Sequence, residues 1–124
     1  PEHTRAARAT IGDDALLAPE QMVVLDTDPA EARRIARAAM AVYMRAPNYL
    51  NNLRRLGFDD EDFADGGSDR LVDAIVAWGT EAEIAARVAE HHEAGADHVC
   101  LQILQDGLGM PEDQWRRLAP ILLN

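Results

Sequence analysis

Apolar positions in this 124-residue chain follow two patterns. Most recur every three or four residues, as on helices that bury one stripe. Two short runs are apolar almost without a break, as in strands covered on both faces. The clearest example of both runs from Gly79 to Leu104. Thr80 and Glu83 form a capping box, and Ile84, Ala85, Val88, Ala89 and His92 share one helical face. Gly95 suits the left-handed residue past the helix end. His98–Leu104 then follows as a strand with no hairpin signal. A helix feeding an apolar strand is half of a βαβ crossover, which predicts an α/β fold with parallel strands.

The preceding chain reads in the same terms. Pro1 to Ile11 is a short helix stopped by Gly12. Leu16 to Asp26 contains a strand whose regular part is Gln21–Leu25, because Pro19 cannot donate to a ladder. Asp28, Pro29 and Glu31 start a helix with a buried stripe of Ala32, Ile35, Ala36, Ala39, Met40 and Tyr43. It should end near Arg45, before Pro47. A second helix covers about Asn48 to Leu56. Phe58 to Ser68 is polar, with Asp59 capping a single turn that buries Phe63. Ser68 caps a helix over Asp69 to Trp78. After a glycine-containing loop, Gln105 to Met110, Pro111 opens a last helix through Trp115, Leu118 and Leu122; Pro120 lies in it and should kink or end it.

This order contains two strands about 70 residues apart, far more than a minimal crossover needs. Two strands do not make an independent parallel sheet. They are expected to pair with another chain or with the rest of a larger domain. The chain also opens on Pro1 rather than Met, which is read as a piece of a longer product.

Charge narrows the function classes. The net charge is −10, and all 12 basic residues are arginine. Without a basic stripe the chain is not expected to bind nucleic acid. No apolar run approaches the ~18 residues of a membrane span, and no signal peptide is evident, so no membrane partner is expected. The single cysteine, Cys100, excludes an intramolecular disulfide and suits a cytoplasmic location. It reads as a small buried strand residue.

Few motifs carry chemistry. The acidic run Asp59, Asp60, Glu61, Asp62, Asp65 lacks the EF-hand glycine and closing glutamate, and reads as a solvated surface. Gly66-Gly67-Ser68 has no preceding strand or following lysine, so it is not a phosphate loop. Adjacent His91 and His92 point to different helix faces, and no metal site is predicted. Asp106-Gly107-Leu108-Gly109 is an incomplete dinucleotide turn. Strand parity is more informative. In a (β/α)8 barrel, Val23, Leu25, Val99, Leu101 and Ile103 would meet helices, while Glu20, Met22, Val24, Cys100 and Gln102 would face the interior. A buried Gln102 near a strand's C-terminal end needs partners, and barrel sites lie at that end. Glu20, Asn51 and Gln102 are therefore the substrate-pocket candidates, although a capping role is favoured for Asn48, Asn51 and Asn52. No catalytic residue is assigned.

Five segments together carry a family resemblance: Leu16–Arg37, Pro47–Phe58, Gly66–Gly79, Thr80–Leu104 and Gln114–Leu123. The chain resembles the C-terminal part of luciferase-like flavin or deazaflavin oxidoreductases. PNYLNNLRRLGF (Pro47–Phe58) points to the branch that uses coenzyme F-420. The resemblance implies that residues 1–124 form a single partial domain, the last third or so of a (β/α)8 barrel, with a helical insertion at about 27–78. The missing N-terminal part of the barrel, or a second copy of the chain, would be its partner. The parent enzyme would pass a hydride between coenzyme F-420 and a small organic substrate. The alternatives are an FMN-dependent monooxygenase and a non-catalytic, self-associating half-barrel. The family's cofactor contacts come mostly from earlier strands, so this part is expected to supply the substrate-channel wall through Asp26–Phe58. It is not expected to bind either cofactor tightly by itself.

Overall fold

A computed structural model describes residues 1–123. Helix α1 (Glu2–Ile11) leads to strand β1 (Glu20–Val24), followed by α2 (Pro29–Met40), α3 (Pro47–Arg55), the single turn α4 (Asp60–Phe63) and α5 (Asp69–Ile75). Strand β2 (Val76–Trp78), α6 (Glu81–Glu93), β3 (Cys100–Ile103) and α7 (Glu112–Leu122) complete the described chain. Short 3-10 turns occupy Tyr43–Arg45 and Ala64–Gly66.

The helix starts follow local chemistry. Asp28 accepts from the Ala30 and Glu31 amides, with Pro29 in the first turn. Ser68 accepts from the Leu71 amide, and Thr80 with Glu83 completes the capping box. Gly79, just before that box, has φ +128°. A Cβ there would also press on the Glu83 side chain of the capping box, so the backbone requires glycine and any side chain would disturb the cap. One helix end differs from expectation. The α2 helix stops at Met40, and its predicted last turn becomes the 3-10 turn Tyr43–Arg45. The α7 helix runs to Leu122 as expected, with Pro120 inside its last turn.

The sheet corrects the two-strand reading. Val76–Trp78 is a third strand, where a helix was expected to continue to Trp78. An apolar run of this length looks the same as a helix stripe or a buried strand. The strands also pair within the chain. All are parallel in the order β2-β1-β3, with Met22 opposite both Val76 and Gln102. The α/β class therefore holds. Consecutive barrel strands would instead pair in chain order, with β2 between the other two.

Two apolar layers sandwich β1. Met22, Val24 and Val76 pack with Ala32, Ala36 and Met40 of α2, Leu53 of α3, and Leu71 and Val72 of α5. On the opposite face Val23 and Ala77 pack with Ile84 of α6 and Leu118 of α7. Val23, Met40, Leu71, Val72, Val76 and Ile84 are fully buried, and each such aliphatic side chain contributes about 1.5–3 kcal/mol. Met22 and Val24, expected in a barrel interior, thus lie under helices.

Cys100 and Gln102 are corrected more sharply, since both are exposed. They share a sheet face with Met22, but the α2–α5 layer packs on β1 and β2 and leaves these two side chains of edge strand β3 exposed.

Polar contacts hold α1 on. Arg8 donates to the Gly95 carbonyl at 2.9 Å and pairs with Asp97 at 2.5 Å. Asp97 also accepts from the Leu17 amide. Among the described residues no helix is long and apolar enough to cross a membrane.

Candidate functional site

A groove of about 740 Å³ lies at the amino end of β1. Its floor is Leu53, Phe58 and Ile75, and its polar rim includes Glu20, Tyr49, Asn52 and Arg70. Sequence dictates this convergence. Pro19 delays the start of β1, so Glu20 sits at the sheet end with its side chain exposed. Pro47 opens α3, which places Tyr49, Asn52 and Leu53 along one helical side. Gly57, with φ +93°, turns the chain so that Phe58 returns over the groove.

The polar groups divide into committed and free. Arg70 pairs with both oxygens of Asp62, donates to the Gly57 carbonyl at 3.2 Å, and stacks over Phe58 at 4.5 Å. Asp62 also accepts from the Ser68 hydroxyl at 2.7 Å. Arg70, with Ser68 assisting, holds the Asp62 carboxyl down at about 2. Asp62 is buried, so one member of the presumed solvated acidic run instead ties α4 to α5. By contrast, no hydrogen bond or ion pair engages the side chains of Glu20 or Asn52, or the Tyr49 hydroxyl, among the described residues. Burial raises the Tyr49 pKa, with smaller contributions from Tyr43 and Glu20, so the phenol remains a donor at neutral pH.

Behind the groove lies a buried polar chain. The Gln21 amide nitrogen donates to the Met22 and Ile75 carbonyls at 2.7 and 2.9 Å. Its oxygen must therefore accept from His91 Nε2, 2.9 Å away. That leaves His91 Nδ1 to accept from the Thr4 hydroxyl at 2.8 Å. The imidazole is neutral, its pKa lowered to about 4 chiefly by burial. With both ring nitrogens occupied, His91 positions α1, α6 and β1 rather than serving as a free base.

The three predicted pocket residues separate. Glu20 lines the groove. Asn51 faces solvent and accepts from Arg54 at 3.1 Å, while its neighbour Asn52 enters the groove. Gln102 does not line it. Tyr49, Phe58 and Arg70 were not singled out from sequence, and only the spacing of Tyr49, Asn52 and Leu53 on α3 could have signalled one side.

Comparison with family models, curated proteins and solved structures found no match.

The groove can bind and orient, but it offers no activated nucleophile. Among the described residues no cluster of three metal-ligating side chains occurs. The arginine in the groove and the one at the other sheet end are both committed and are not free for the phosphate of a flavin or deazaflavin cofactor. Glu20 is uncompensated, Arg70 is committed to Asp62, and Arg34 at the other sheet end is paired with Glu31 and Asp106. A second, apolar groove of about 370 Å³ lies between α6, β3 and α7, flanked by His92, His98 and Trp115.

Proposed function

We propose that this chain is the C-terminal part of a luciferase-like oxidoreductase of the coenzyme F-420 branch, in which it walls the substrate channel and leaves the cofactor to other strands. One observation carries the reading. Glu20 and the PNYLNNLRRLGF segment, which bore the resemblance, converge on the same groove with free hydrogen-bonding groups above an apolar floor. Such a composition suits a small organic molecule; its place at the amino end of β1 departs from the barrel rule that sites lie at the carboxyl ends of the strands. The parent enzyme would move a hydride between the deazaflavin and that substrate. The chain's own residues would hold the substrate and exclude water from it.

The barrel belongs to this proposal as the arrangement in the whole enzyme. Moving β3 from the edge of β1 to the outer edge of β2 converts the order β2-β1-β3 into chain order with every strand still parallel. The further barrel strands would pair at the open edges.

The test uses the parent protein. Preferential binding of F-420, with Asn52→Leu raising KM and leaving F-420 affinity unchanged, supports the reading. Tight FMN binding with oxygen consumption would replace it with the monooxygenase alternative.

A further inference from the structure

The groove's free groups also select a class of ligand, provided that the groove is the substrate channel proposed above. Its charges can be followed one at a time. Arg70 is neutralised by Asp62. His91 is neutral within its hydrogen-bonded chain. The α1 rim adds Glu2 and His3. Glu20 is a carboxylate with no cationic partner among the described residues, and it lines the same groove as Tyr49, Asn52, Leu53, Phe58 and Ile75.

We propose that the groove binds organic amines in protonated form, the ammonium group on Glu20 and Asn52 and an apolar or aromatic body on the Phe58–Ile75 floor. A carboxylate accepting from an ammonium makes a charge-assisted bond, stronger than a neutral one. An anionic ligand of the same shape would face Glu20 without compensation, because Arg70 is already bonded on several sides. The Tyr49 phenol, on the same rim, can accept a second ammonium proton.

Three matched probes test this on the chain itself, without cofactor: phenethylamine, phenethyl alcohol and hydrocinnamate. Binding is followed by NMR titration of the Asn52 side-chain amide and neighbouring backbone amides at neutral pH. Phenethylamine should bind about tenfold or more tighter than hydrocinnamate. Glu20→Gln, which keeps the side chain's shape at an exposed position, should erase that preference with the amide spectrum otherwise unchanged. Asn52→Leu should weaken the amine and the alcohol together. Equal binding of amine and carboxylate, or a preference that survives Glu20→Gln, would overturn the amine assignment and leave the channel reading standing. If none of the three perturbs the groove amides, both fall.

Discussion

Strands β1 and β3 are similar in sequence and opposite in circumstance. EQMVV and CLQI are both short and largely apolar, and they pair in register. Four of the five β1 residues are buried, whereas β3 alternates between exposed and half-buried. The difference lies in position. As the central strand, β1 has neighbours on both edges and helices over both faces. As an edge strand, β3 has α6 and α7 over one face, while Cys100 and Gln102 on the other are exposed. A strand's apolar content therefore does not decide its burial here; the reach of the α2–α5 layer does.

The contrast is broken most severely by placing one change on both strands. Met22 and Gln102 are register partners on one sheet face. Met22→Asp buries an unpaired carboxylate and should cost about 3–5 kcal/mol or prevent folding. Gln102→Asp faces solvent and should stay within about 0.5 kcal/mol. Urea unfolding of the two variants measures both, and equal costs would dismiss the central–edge distinction.

Smaller effects probe what frames β1. Gly79→Ala, at φ +128° with its new Cβ against Glu83, should cost about 2 kcal/mol by thermal unfolding. Acid should act through His91. Its pKa is near 4 in the fold against about 6.5 in the unfolded chain, so folding favours the neutral ring. That contribution is fully present above about pH 6.5 and falls as the pH drops toward 4, by on the order of 2 kcal/mol. His91→Gln should remove that pH slope while lowering stability at pH 7. A wild-type stability that is flat between pH 6.5 and 4 would contradict the buried Thr4–His91–Gln21 chain.

The features legible in the sequence are the local ones. Asp28-Pro29, Ser68 and Thr80 with Glu83 start helices through contacts within four residues, so the sequence alone reveals them. Strand β2 was hidden because Val76, Ala77 and Trp78 suit a helix stripe equally well. Cys100 and Gln102 were misjudged because burial depends on which strand ends the sheet, a global property. The same holds for the site. Glu20 was found from strand parity, but Asn51 was chosen over Asn52, and a single helical position, about 100° around the axis, separates solvent from groove. Phe58 and Arg70 reach the groove through Gly57 and the Asp62 pair, neither of which sequence spacing reveals.

Hydrogen exchange on the backbone amides of the chain tests the central place of β1 most directly. Backbone groups of alternate strand residues point to opposite edges. Cys100 and Leu104 donate to the Pro19 and Val23 carbonyls, and Gly79 donates to that of Val24. Gln21 and Val23 thus face β3, while Met22 and Val24 face β2. The account predicts slow exchange throughout Gln21–Val24, slow exchange at Cys100, Gln102 and Leu104, and fast exchange at Leu101 and Ile103. Fast exchange at Gln21 and Val23, with Ala77 and Trp78 both slow, would instead make β2 the central strand and contradict it.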